Sequence, residues 1–100
     1  MIINETELIA TIRSIPDFPK EGILFRDITT LLKNADAYET LVESIAEKLR
    51  PLDVDIVIGP EARGFVIGSA VAYAVHAGFV LARKPGKLPC EVNSVSYGLE

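Results

Sequence analysis

The sequence predicts an α/β fold centred on a parallel pair of strands joined by a helix, and three observations carry that expectation. Asp55-Ile56-Val57-Ile58-Gly59 is a β-branched run without polar alternation, the pattern of a strand covered on both faces. Residues 63–76 are small and apolar nearly all round, as a buried helix requires. Phe79-Val80-Leu81-Ala82 then repeats the short apolar run of a buried strand. A strand–helix–strand connection in one sheet is almost always right-handed and sets its two strands parallel.

The elements before this unit follow from caps and spacing. Asn4 is a good N-cap, with Glu7 placed to complete a capping box. Leu8, Ile9, Ile12 and Ile15 share one face of the helix that follows, and Pro16 ends it. Residues 17–22 form a turn-rich linker. Ile23-Leu24-Phe25 is a short apolar run whose pattern Arg26-Asp27 breaks. A second helix starts at Asp36 with Glu39 as its capping partner. Tyr38, Leu41, Val42, Ile45, Ala46 and Leu49 follow helical spacing, and Pro51 stops it. After the central helix, Gly78 suits the helix end. Gly64 and Gly68 allow the helix to approach the sheet closely.

Composition bounds the rest. The chain has 100 residues, 49% of them apolar, which fits one globular domain or part of one. Area scaling lets a chain of this mass bury about 65% of its unfolded surface, so a core without staples is feasible. A single cysteine, Cys90, excludes an intrachain disulfide framework and a multi-cysteine zinc site. A single histidine, His76, excludes a two-histidine metal site from this chain, and no metal-ligating set is expected. His76 near a helix end suits a dipole or packing role. Net charge −4 and a pI near 5.0 argue against a general nucleic-acid binder. Residues 1–5 lack the basic start and apolar run of a secretory signal, so a reducing, cytoplasmic setting is expected. Residues 64–82 carry no formal charge and approach membrane-span length. Gly64, Gly68 and His76-Ala77-Gly78 interrupt them, however, and basic residues flank both ends. A helix, a turn and a strand explain them better than a span.

Charge supplies the first functional clue. No acidic residue occurs between Ala62 and Cys90, while Arg63, Arg83, Lys84 and Lys87 are all basic. Ligands of open α/β sheets bind beyond the carboxyl ends of the strands. Arg63 follows the first strand and the other three follow the second, so all four belong at one sheet edge. Gly59-Pro60-Glu61-Ala62-Arg63-Gly64 also opens a helix, whose free N–H groups favour phosphate. It is neither a Walker loop nor a GxGxxG fingerprint. On these grounds a phosphate or diphosphate ligand stands beside the plainer alternative, a solvated basic loop.

Four blocks resemble one family. Phe18-Pro19-Lys20-Glu21-Gly22-Ile23-Leu24-Phe25-Arg26-Asp27-Ile28-Thr29 resembles the amino-terminal signature of adenine phosphoribosyltransferases. Gly59-Pro60-Glu61-Ala62-Arg63-Gly64-Phe65 resembles their first active-site loop. Arg83-Lys84-Pro85-Gly86-Lys87-Leu88-Pro89 resembles their mobile loop, and Ser96-Tyr97-Gly98-Leu99-Glu100 the strand after it. The blocks occur in family order over essentially the whole chain.

The resemblance implies a type I phosphoribosyltransferase core with an amino-terminal hood. The hood and first helix would occupy residues 1–35, and the second helix, βαβ unit and mobile loop residues 36–100. It implies purine salvage: adenine and 5-phosphoribosyl diphosphate give AMP and diphosphate, with Mg²⁺ bound through the diphosphate. It also implies a homodimer. Arg63, Lys84 and Lys87 would hold the diphosphate, and Arg83 would serve its own site or a neighbour's. Leu24, Phe25 and Arg26 would bind adenine, Phe25 by stacking and Arg26 mainly through its main chain, its guanidinium free to pair with a carboxylate. Glu100 matches the family's acidic residue facing the purine N7, where it would exchange a proton as N9 attacks. The Glu61–Ala62 peptide is expected to be cis, and residues 83–89 to close over bound diphosphate. Cys90 has no histidine neighbour in sequence and is taken as incidental.

The family also carries paired acidic residues and a Thr-Gly-Gly-Thr-like turn that cradles the ribose 5-phosphate, and the 100 residues contain no such segment. The expectation is a fold incomplete in this chain, a sheet short of strands, and no turnover by these residues alone. A non-catalytic, effector-binding regulator on the same fold is the alternative. The adenine-type motifs and the complete basic loop favour the enzyme.

Overall fold

The structure is a computed structural model that describes residues 3–86 and Ser94. It opens with helix α1 (Glu5–Ala10), capped as expected: Asn4 Oδ1 accepts from the Glu7 N–H at 2.8 Å and Glu7 Oε1 from the Asn4 N–H at 3.2 Å. The helix is shorter than its apolar spacing suggests. Thr11 turns its hydroxyl back onto the Leu8 carbonyl at 2.6 Å, and the chain enters a strand, β1 (Arg13–Pro16). Ile15 therefore belongs to a strand, opposite Phe25, and not to a helix face.

Strand β2 (Leu24–Asp27) pairs antiparallel with β1, Arg13 opposite Asp27 and Ser14 opposite Arg26. Arg26 and Asp27 extend this strand; they do not end it as the sequence suggested, because their side chains are matched by partners across the hairpin. The turn between the strands holds Asp17 at φ 57° and Gly22 at φ 88°, and its Phe18–Pro19 peptide is cis. Asp17 Oδ1 accepts from the Gly22 N–H at 3.0 Å, closing the loop. A short helix, α2 (Thr29–Leu32), follows without having been anticipated.

Helix α3 (Ala35–Leu49) takes its cap from Asn34, whose Oδ1 accepts the Ala37 N–H at 3.1 Å, and not from Asp36. Asp36 lies in the first turn instead, where its charge complements the helix dipole. Pro51 falls in a 3₁₀ turn (Arg50–Leu52) that ends the segment.

The βαβ unit forms as expected, with parallel strands β3 (Ile56–Pro60) and β4 (Gly78–Ala82) joined by α4 (Arg63–Val75). The helix ends at His76, which takes the left-handed conformation at φ 60°, and Gly78 begins β4. Burial expectations are corrected on all three elements, Val80 and Leu81 of β4 being 44% exposed each. On β3, Val57 and Gly59 are covered, but Ile56 and Ile58 are 52% and 65% exposed on a face that no described element covers. On α4 only Val71 and Ala72 are buried, and Tyr73 is 89% exposed. Apolar character all round marks these surfaces as coverable, and one α-layer covers one side of a sheet only.

The close approach of α4 to β3 is real. A Cβ on Gly59 would overlap the Gly64 carbonyl oxygen, one on Gly64 would overlap Pro60, and one on Gly68 would lie 2.7 Å from Phe79 Cε1. The Glu61–Ala62 peptide is cis, as the sequence led us to expect.

Candidate active site

The candidate site forms where the chain leaves the parallel strands. Pro60 and Ala82 are opposite in register, so the residues after β3 and after β4 emerge side by side. The Glu61 N–H donates to the Ala82 carbonyl at 3.1 Å, extending the ladder. Glu61 Oε1 accepts from Arg83 Nε at 3.3 Å and from the Lys84 N–H at 2.9 Å. One carboxylate oxygen thus fastens the root of the basic segment to the end of β3.

Helix α4 begins beside this clasp. Its N-cap, Ala62, offers no side-chain hydrogen bond, and its first turn contains no acid. The positive end of a helix with no side-chain cap is an anion-binding feature, here placed within a cationic segment.

Two aromatic contacts tie the cations to their surroundings. The Arg63 guanidinium lies over the Phe25 ring, 5.5 Å from its centroid, and so links the hairpin to the start of α4. Phe18 meets the same ring edge-on, with centroids 5.2 Å apart. The Arg83 guanidinium lies 5.7 Å from the centroid of Phe65, which itself packs edge-on against Phe79.

Leu24 is exposed and Phe25 half-buried on β2. Arg26 Nη1 donates to Ser14 Oγ at 2.7 Å, so its guanidinium bonds a hydroxyl and not the carboxylate that the sequence suggested. Register explains this: Ser14 is the residue opposite Arg26, whereas the acid, Asp27, lies opposite Arg13. Arg13 Nε donates to Asp27 Oδ2 at 2.9 Å, and Arg13 Nη2 pairs with the same oxygen. Asp27 Oδ1 accepts from the Thr29 hydroxyl at 2.7 Å and the Thr29 N–H at 2.9 Å. Thr29, then Arg13, hold the Asp27 carboxyl at about 2, below its ordinary 3.8.

The structure therefore joins Arg63 with Phe25, and Arg83 and Lys84 with Glu61. Lys87, Cys90 and Glu100 lie outside the described residues. Sequence reasoning missed Glu61, Phe18, Phe65 and the Arg13–Asp27 pair. A signal existed for Glu61, since parallel strands in register bring the residues after each strand together.

No family profile matches the chain. It is 55% identical over 89 residues to an adenine phosphoribosyltransferase of Pseudothermotoga lettingae, and 58% identical over 89 residues to one of Alkaliphilus metalliredigens. Each alignment covers 89% of this chain and 52% of the relative. The crystal structure of an adenine phosphoribosyltransferase from Thermoanaerobacter pseudethanolicus superposes with a TM-score of 0.88 at 48% identity, over 94% of this chain and 56% of that one. The matched residues correspond to the first half of these adenine phosphoribosyltransferases. The adenine phosphoribosyltransferase of Saccharomyces cerevisiae, solved with adenine and an imino-altritol bisphosphate, superposes with a TM-score of 0.81 at 37% identity, covering 86% of this chain and 53% of that one. The type I phosphoribosyltransferase fold expected from the sequence is thus borne out. The chain spans about half the length of the adenine phosphoribosyltransferases it matches.

Proposed function

We propose that the full-length protein containing this chain transfers the phosphoribosyl group of 5-phosphoribosyl diphosphate to adenine, giving AMP and diphosphate in purine salvage. The observation that carries the reading is Arg63, whose guanidinium stands between the Phe25 ring and the start of α4. A residue so placed brings a stacking face for a base next to a site for a polyanion. The relatives are transferases, and neither they nor the fold support the effector-binding regulator.

In this mechanism adenine stacks on Phe25 and its edge is read by the Leu24 to Arg26 main chain. N9 attacks the ribose C1 as the bond to the diphosphate oxygen breaks, and negative charge gathers on the departing group. Arg63, the α4 amides, Lys84 and Lys87 act on that charge, more strongly as it develops. Arg83 serves the site through the Glu61 clasp, or serves a neighbouring subunit's. Glu100 exchanges a proton with adenine at N7. The cation expected of the family would be held through the diphosphate oxygens and not by a set of protein side chains. Mg²⁺ bound there would neutralise diphosphate charge. Among the described residues no helix is long and apolar enough to cross a membrane. We place the enzyme in the cytoplasm as a homodimer that binds no nucleic acid.

These 100 residues supply the base and diphosphate half of such a site, and alone they should turn nothing over. The test is conversion of labelled adenine to AMP with 5-phosphoribosyl diphosphate and Mg²⁺, by the full-length protein and by the 100-residue polypeptide. Turnover by the former alone supports the reading. No turnover by the full-length protein refutes it, and turnover by the polypeptide refutes the half-site assignment.

A further inference from the structure

We propose that Asp27 is a positioning residue for base recognition: its carboxylate fixes the end of β2, and through it the Leu24 to Arg26 backbone and the Phe25 ring. This rests on the assignment of β2 as the base-reading strand.

Asp27 is 6% exposed, and both of its carboxylate oxygens are engaged. Oδ2 takes the Arg13 guanidinium from β1, and Oδ1 takes the Thr29 hydroxyl and N–H from α2. The Asp27 carbonyl accepts from the Thr30 hydroxyl at 3.4 Å, which also donates to the Thr11 carbonyl at 2.6 Å. One side chain therefore joins β1, β2 and α2. That junction matters because a two-stranded hairpin is marginal in water. The turn at residues 17–22 closes one end of this hairpin, and Asp27 closes the other.

A carboxylate suits this role and an amide does not. All the side-chain partners of Asp27 are donors, so an asparagine would set its NH₂ against either Arg13 or Thr29. Loosening the end of β2 shifts the Phe25 ring, two residues away, relative to Phe18 and Arg63. Stacking of a base on an aromatic ring is worth about five- to 150-fold in affinity, so losing part of it changes a substrate's apparent affinity about tenfold. The diphosphate loops sit on β3, β4 and α4 and meet the hairpin through the Arg63–Phe25 contact, not through a hydrogen bond of Asp27.

The test is steady-state kinetics of full-length Asp27→Asn, Arg13→Gln, Arg13→Lys and Phe25→Ala, with the folded fraction of each measured by thermal unfolding. Asp27→Asn should raise the adenine KM about tenfold, with kcat and the 5-phosphoribosyl diphosphate KM within about twofold of wild type. Arg13→Gln should move the adenine KM the same way by less, and Arg13→Lys should restore most of it. The Arg13 side chain is 58% exposed, so those variants carry the test should Asp27→Asn not fold. If adenine KM stays put in Asp27→Asn and Arg13→Gln while Phe25→Ala raises it, the positioning role is wrong and the strand assignment stands. If Phe25→Ala also leaves it unchanged, the strand assignment itself is wrong. Loss of activity in proportion to the folded fraction, with both KM values unchanged, would reduce Asp27 to a structural residue.

Discussion

Replacing Phe25 by alanine removes two contacts and a stacking face in one step. The edge-on contact with Phe18, at 5.2 Å, is of a kind that contributes about 0.5–1.5 kcal/mol beyond area burial. The contact with the exposed Arg63 guanidinium, at 5.5 Å, contributes about 0.5–1 kcal/mol. Together they set a loss of about 1–2.5 kcal/mol, divided between the hairpin itself and its contact with α4. Stacking of a base on an aromatic side chain is worth about 1–3 kcal/mol, so the adenine KM should rise about five- to 150-fold. That term is shared by ground and transition states, so kcat should change far less than KM. The assay is steady-state kinetics of the full-length protein across adenine concentrations, with thermal unfolding measured alongside. Phe25→Leu sharpens it, since leucine keeps apolar bulk and offers no ring face. If leucine restores the adenine KM fully, Phe25 acts by packing. If alanine lowers the melting temperature and leaves the adenine KM within twofold, stacking on Phe25 is refuted.

Other substitutions separate the remaining roles. Arg63→Ala should lower kcat/KM about ten- to a hundredfold, as expected for losing hydrogen bonds to a charged group, and an unchanged kcat/KM would remove Arg63 from the diphosphate site. Gly68→Ala places a Cβ 2.7 Å from Phe79 Cε1; overpacking of about 1–3 kcal/mol exceeds the helix-propensity gain of about 1 kcal/mol, so denaturant titration should show a net loss. The lowered Asp27 value sets a direction with pH: its contribution is complete above its ordinary 3.8 and is lost as pH falls toward about 2. Unfolding midpoints measured down that range should fall more steeply for wild type than for Asp27→Asn.

The legible parts of this fold are those written in local chemistry. Asn4 and Glu7 form a capping box because both partners lie within one turn, and the βαβ unit was readable because its apolar runs have different lengths and compositions. The hairpin was not readable. Ile12 and Ile15 continue the helical spacing of Leu8 and Ile9, and only pairing with residues 24–27, beyond a turn closed by Asp17 and Gly22, draws residues 13–16, Ile15 among them, into a strand. Arg26 and Asp27 look like a break in a strand until Ser14 and Arg13 appear opposite them. Asn34 won the α3 cap over Asp36 because both types cap well, and spacing alone does not rank them. At the site, Arg63, Arg83 and Lys84 were readable from charge and strand order. Their partners Phe25 and Phe65, and the Glu61 carboxylate, depend on how the strands and α4 pack.

In the proposed function a base site on β2 and a diphosphate site at the ends of β3 and β4 adjoin through Arg63. The most direct measurement is an amide-resolved NMR titration of the full-length protein with adenine and, separately, with Mg²⁺-diphosphate. Adenine should shift the amides of Leu24, Phe25 and Arg26, and diphosphate those of Ala62, Arg63, Gly64 and Lys84, with Arg63 Nε responding to both. Adenine shifts that avoid β2, or diphosphate shifts that avoid the start of α4, would contradict it.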